Sequence, residues 1–315
     1  MNPTVPPEAI EFGAVAERAF ADLGGIDVAR RAEAVPDLRR QVGPVLDDLG
    51  IGDLDPTQDT VAAVAAAELC RAAGRVTLPY PVVAAVLRAS GGGRPVAVVA
   101  PDRGRVDHGD LFPAWHLVTT GGEVREGSPD GPALGSRLGP FVTDLARGPG
   151  GAGDPAVAWM AFTLGAFWIL GVVDRAIELA VAHVNDRVQF GRPLAAFQAV
   201  QFALADASVA ANGLRELAQF TLWRLAVAPE AAPADVLALR VHAQQVAAAV
   251  LRTAQQLHGA AGVCDEYDIS VLCRHVQPAL RLPAGLERTT EELIRAVDRV
   301  GFHGIYPHPP TEEQP

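Results

Sequence analysis

Residues 155–173 read PAVAWMAFTLGAFWILGVV, nineteen residues without a charged side chain. That is long enough to cross a membrane, which takes about 20 apolar residues. It also suits the central helix of a large bundle, which is apolar on every face. Asp174, Arg175 and Glu178 continue the same helical pattern, and the small residues Ala158, Ala161, Gly165 and Ala166 punctuate it. A single segment of this kind, running directly into charges, is expected to be a buried core helix rather than a membrane span.

The rest of the chain has to supply the walls around that helix. Its 315 residues are 49% hydrophobic and 20% charged, a globular balance with enough length for more than one layer of structure. A net charge of −11, without a basic block, argues against a nucleic-acid partner or an anionic membrane surface. All 26 basic residues are Arg, so no mechanism can use a Lys Schiff base or a Lys general base. Cys70, Cys264 and Cys273 cannot all pair within the chain, and no signal peptide precedes the acidic N-terminus, so a cytoplasmic setting is expected. Cys264, Cys273 and His275 form C-x8-C-x-H, which lacks the close ligand pairs of a zinc site, and no metal is expected.

Three segments follow from the hydrophobic pattern. AVAERAFADLG, DLRRQVGPVLDDLG and TVAAVAAAELCRAAG carry apolar residues at helical spacing and end at or near Gly, giving an N-terminal helical domain over 1–91. RPVAVVAP and WHLVTTGGEVREG favour strands, and GPGGAGDP at 148–155 reads as the turn closing a small β domain over 92–152. Long Ala-rich helices, broken at Pro229–Pro233, fill 153–300, and 301–315 is expected to be a surface tail or partner contact. Pattern alone goes no further than a mainly α protein.

Two motifs carry more. Residues 180–206, AVAHVNDRVQFGRPLAAFQAVQFALAD, hold Arg187, Gln189, Phe190, Gly191, Pro193, Leu194, Phe197, Gln198 and Gln201, then Leu204-Ala205-Asp206. Residues 256–274 read QLHGAAGVCDEYDISVLCR. In this order and spacing they resemble the acyl-CoA dehydrogenase family, with a weaker echo in AAELCRAAGRVTLPYPVV of the N-terminal half. The resemblance implies an N-terminal helical domain, a truncated middle β domain and a C-terminal four-helix bundle. It also implies that Arg187, Gln189, Phe190, Phe197, Gln198, Gln256, Gly259 and Ala260 line the FAD of a neighbouring subunit. An Arg on a helix offers a pyrophosphate a planar fork of donors, and Gln and Gly positions offer amides at close approach. Ala260 stands where the family has a second Gly, adding a methyl group at that approach.

The resemblance also shows what this chain lacks. Flavin-dependent α,β-dehydrogenation needs a carboxylate to take the weakly acidic α-proton of a thioester. The family places it just before a Gly-Thr near the C-terminus, where this chain has Pro283-Ala284-Gly285, or on the earlier helix, where it has Ala161. No carboxylate lies between Asp154 and Asp174, and Glu287 is displaced by about three residues on a helix start. The middle segment has some sixty residues and neither of the family's flavin-contacting motifs. The expectation is a chain with no catalytic residue of its own. It would be the smaller subunit of a heteromeric acyl-CoA dehydrogenase of the actinobacterial steroid-degradation type, an α2β2 assembly. A homologous catalytic subunit would hold most of the FAD and the acyl-CoA. Two other readings stay open: a free-standing homodimeric dehydrogenase using another base, such as Asp206 or Glu266, and a non-enzymatic scaffold with this fold.

Overall fold

A computed structural model describes residues 6–301; the expected tail lies outside them, save for Gly301. Five helices come first: α1 (Pro7–Asp22), α2 (Ile26–Ala34), α3 (Val42–Asp48), α4 (Thr60–Arg75) and α5 (Val82–Val86). Asp59 caps α4 by accepting a hydrogen bond from the Ala62 amide, which satisfies one of the first-turn donors. α2 is short and bounded by Gly25 and Pro36, so it has too few turns to leave a clear periodic signal.

A sheet follows, built from β1 (Val96–Val98), β2 (Arg105–Asp107), β3 (Trp115–Val118), β4 (Glu123–Pro129), β5 (Leu134–Ser136) and β6 (Gly139–Ala152). Its order is β1-β3-β4-β6-β2, with β5 also on β6, and only the β1–β3 pair is parallel. The glycine-rich stretch after Arg147 is not the closing turn that its composition implied. It continues β6 against β4 as far as Ala152 opposite Glu123. Beyond Leu145 the strand is mostly exposed, so backbone pairing holds it and no alternating apolar pattern betrays it. Trp115, fully buried with its indole N–H donating to the Gly109 carbonyl at 2.8 Å, anchors a small separate core under this sheet.

The C-terminal part consists of α6 (Ala156–Asp186), the hairpin β7 (Val188–Gln189) and β8 (Arg192–Pro193), α7 (Gln198–Val227), α8 (Ala232–His258), α9 (Asp268–His275), α10 (Gln277–Arg281) and α11 (Leu286–Val300). α6, α7, α8 and α11 form the four-helix bundle, with α4 packed on the outer side of α6. The break between α7 and α8 falls at the Pro229–Pro233 segment. In the most apolar 18-residue window of α6, 78% is buried inside the fold, and the charges that follow it are spoken for. Asp174 accepts from Arg215 of α7 at 2.8 Å and from Arg71 of α4 at 3.2 Å. Small residues let α4 and α6 touch backbone to backbone. A Cβ on Gly74 would lie 1.9 Å from the Trp168 carbonyl oxygen, and one on Gly171 would lie 2.0 Å from that of Arg71.

Candidate functional site: an open motif surface and a separate cavity

The motif residues gather at the end of the bundle where α6 and α8 finish and α7 begins. Arg187 is not within a helix, as the motif reading had it. It follows the last residue of α6, and its backbone N–H donates to the His183 carbonyl at 2.9 Å. The chain then enters the β7–β8 hairpin, whose two turn residues, Phe190 (φ 53°) and Gly191 (φ 80°), both have positive φ. Such a two-residue turn matches the twist of its strands, and Gly suits it, whereas a bulky residue at positive φ is strained. The Phe190 side chain is 90% exposed. Phe197 packs edge-on against it with ring centroids 6.1 Å apart, and the Arg192 guanidinium lies 4.1 Å above the Phe197 ring.

Gln198 opens α7, while Gln256, Gly259 and Ala260 sit at the end of α8, all exposed. The stacked rings of His183 and His258, 4.4 Å between centroids, tie the two helix ends together. Burial and the neighbouring His258 hold the His183 imidazole below its ordinary pKa. Gly259 has φ 61°, and a Cβ there would meet nothing within 4 Å. All eight residues thus lie on one end of the bundle, without a pocket of their own around them. A diphosphate could reach the Arg187 fork there only if another chain carried it; the Gly259 N–H is already donated to the Gln256 carbonyl.

A cavity partly open to solvent lies elsewhere. It holds about 200 Å³ and is bounded by α5, β1, β2, α6, α8 and the segment 278–283. Ala161, at one of the positions where the sequence lacks a base, lines it; of Pro283 and Ala284, either of which can hold the other position, Pro283 lines it and Ala284 does not. Asp206, Glu266 and Glu287 are exposed and do not. The one carboxylate among the lining residues is Asp107. Burial pushes its pKa from an ordinary 3.8 up to about 7, against the pull of the Arg39 charge.

Neighbouring groups position Asp107. Arg39, 2% exposed, donates to both oxygens of Asp110 at 2.9 and 2.6 Å and to the Pro36 carbonyl. It also stands 3.4 Å from Nδ1 of His108. Burial and the Arg39 charge hold His108 neutral, far below its ordinary pKa. With Nδ1 facing a donor, the proton belongs on Nε2, which points at Asp107 Oδ2 from 3.5 Å.

Because folding raises the Asp107 pKa, the folded chain keeps a proton that the unfolded chain loses as pH passes about 4. Stability is therefore fullest below pH 4 and declines as pH rises through about 7. Asp107→Asn should remove that decline, matching the parent near pH 4 and exceeding it at pH 8. The gain should be about 1–2 kcal/mol, well under the full shift because the side chain is 31% exposed. Denaturant melts at the two pH values check this; equal stability of parent and variant at pH 8 would contradict it.

Arg240 of α8 is a buried cation at the cavity, where Arg105 also stands, and sequence reasoning missed it. It is 7% exposed, donates through Nη2 to the carbonyls of Leu282 (2.6 Å) and Ala284 (3.1 Å), and lies 4.5 Å over the Phe162 ring. Burial lowers its pKa to about 10, which leaves it charged at neutral pH. Its spacing was the available signal. Arg240 falls four residues after Val236 and three before Ala243, on the buried face of α8.

Comparison with known proteins places these features. Residues 156–296 match the model of the acyl-CoA dehydrogenase C-terminal domain. The acyl-CoA dehydrogenase IpdE2 of Mycolicibacterium smegmatis is 31% identical over 129 residues, 41% of this chain and 40% of that protein. The IpdE2 of Mycobacterium tuberculosis is 30% identical over 147 residues, 47% of this chain and 43% of that protein. The matched stretch thus spans well under half of either relative. In fold the likeness covers nearly everything. A chain of the ChsE4-ChsE5 complex from Mycobacterium tuberculosis superposes with a TM-score of 0.77 at 20% identity, covering 95% of this chain and 99% of that one. A chain of the Tcur3481-Tcur3483 steroid ACAD G363A variant gives a TM-score of 0.73 at 22% identity, covering 94% and 99%. Residues 156–296 thus match the acyl-CoA dehydrogenase C-terminal domain, and the described chain has the acyl-CoA dehydrogenase fold.

Proposed function

We propose that this chain is the non-catalytic subunit of a heteromeric, FAD-dependent acyl-CoA dehydrogenase, acting on a CoA thioester of the steroid side-chain class. The observation that carries this reading is the cavity. Ala161, and Pro283 of the Pro283-Ala284 pair, open onto it where the family has its base, and the buried charge beside Pro283 is the Arg240 cation. A site built to take an α-proton needs a carboxylate there.

The interior of the cavity also offers little room to a flavin of this chain's own. An apolar cavity of about 150 Å³ holds a single benzene ring, whereas this one has about 200 Å³ and an isoalloxazine has three fused rings. The open end of the bundle, in contrast, fits a cofactor held by another chain. When bound there, FAD supplies the two-electron acceptor. Arg187 would take its diphosphate, Gln189, Gln198 and Gln256 would offer side-chain amides, and Gly259 and Ala260 would let the cofactor approach the backbone. Phe190 and Phe197 would cover its apolar parts.

An exposed apolar face runs alongside. Phe202 (60% exposed) and Val209 (72%) lie seven residues apart on α7, near the hairpin tip at Phe190. We assign this face to a homologous catalytic subunit, and likeness to a chain of a two-component complex supports that assignment. Phe202→Asp combined with Val209→Asp should abolish co-purification with that subunit and leave the chain's helical circular-dichroism signal unchanged. Retained co-purification would place the interface elsewhere.

A second reading has one observation behind it: Asp107 lines the cavity and is about half protonated at neutral pH. A self-sufficient dehydrogenase using this carboxyl as base would show flavin reduction by acyl-CoA in the single chain, lost in Asp107→Asn.

A further inference from the structure

Arg240 is a buried cation that feels the Glu292 carboxylate but forms no ion pair with it or with any other described residue. No carboxylate comes within 4.0 Å of it among the described residues, and its Nε has no hydrogen-bond partner there. Desolvating a guanidinium is expensive, and bonds to two carbonyls and one aromatic face offset only part of that. Thr77, on the N-terminal side of the same cavity, is 1% exposed, and its hydroxyl also has no partner. Its backbone adopts φ 44°, costly for a β-branched residue and of the kind that persists where a site requires it. The remaining wall is largely apolar, including Leu78, Val82, Phe162 and Ile169. Asp107 sits among Arg39 and His108 and adds a partly protonated carboxyl, which disfavours a ligand with a second negative charge.

We propose that this cavity is a binding site for an apolar monocarboxylate, a free acid whose carboxylate pairs with Arg240 while its hydrocarbon part fills the space between α5, α6 and β1. The site belongs to this chain alone and goes beyond the assembly reading, since it needs neither the partner nor flavin. Its volume sets the size. Scaled from the roughly 150 Å³ that holds benzene, the interior of about 200 Å³ takes one ring with a two- or three-carbon chain. Bound there, the acid would brace the segment 282–284 that Arg240 already holds.

The probe is 3-phenylpropionate, titrated into the full-length chain and read by the fluorescence of Trp168, which lines the cavity. 3-Phenylpropanol serves as the neutral control of matching shape. The acid should bind at least about tenfold more tightly than the alcohol, the scale of a charge-assisted hydrogen bond. Arg240→Gln should abolish that preference. Gly165→Leu leaves Arg240 intact and tests the cavity itself: a Cβ at Gly165 meets nothing within 4 Å, so the side chain can grow into the space. It should block acid and alcohol alike in a chain that still melts cooperatively. Equal affinity for acid and alcohol, no binding of either to the parent chain, or unaltered acid binding in Gly165→Leu would each overturn the proposal. None of these outcomes depends on flavin content, so failure here is distinguishable from failure of the assembly reading.

Discussion

Gly171→Ala should destabilise the chain by about 3 kcal/mol or more, the upper part of the range for overpacking. The added methyl would sit 2.0 Å from the Arg71 carbonyl oxygen and 2.9 Å from the Arg75 nitrogen, both main-chain atoms of α4. Neither can move aside by changing rotamer, so the two helices must separate. Separation would open the contact that buries the middle of α6 and would lengthen the bond from Arg71 to Asp174. Gly74→Ala should have a similar effect from the opposite helix, its methyl meeting the Trp168 carbonyl at 1.9 Å. Because both act on one contact, the double variant should cost less than the sum. Gly165→Ala, on the same helix but facing open space, should cost little and serves as the control. Thermal and denaturant melts of the three variants check this; a melting temperature within about 2 °C of the parent for Gly171→Ala would contradict the close contact.

Arg187→Ala should weaken retention of flavin by the assembled complex by roughly one to two decades, with assembly itself largely intact. A bidentate, charge-assisted contact to a diphosphate contributes about 1.5–3 kcal/mol. Arg187 stands outside the folded core at the C-terminal end of α6, so its truncation leaves no cavity and breaks no ion pair among the described residues. Arg187→Lys should recover only part of the loss, because an ammonium keeps the charge and not the fork. Titration of FAD into flavin-stripped complex measures this directly. Unchanged affinity in Arg187→Ala would remove the diphosphate from this end of the bundle.

Much of the fold was legible because it obeys periodic rules. The uncharged run at 155–173, ended by Asp174, Arg175 and Glu178, read as a buried helix, and Arg71, Arg75 and Arg215 from the neighbouring helices are what those charges meet. The end of β6 was illegible because glycines carry no pattern: its pairing is a property of β4 opposite it, not of its own side chains. The motif residues were found as a set, but the hairpin that presents them was not, since the positive φ of Phe190 runs against what a bulky residue ordinarily adopts. The cavity was half visible. Its missing base could be read at Ala161 and at Pro283 or Ala284, whereas Asp107 and Arg240 come from β2 and α8, and only the tertiary fold brings them to the same space.

The central claim, that this chain completes another chain's flavin site and holds none itself, is tested most directly by counting flavin. The complex of this chain with its homologous partner, purified and weighed by total protein, should contain one FAD for each pair of unlike chains, released and measured by absorbance. The chain purified alone should contain none. One FAD per chain in the complex, or a yellow and active preparation of this chain by itself, would contradict the account.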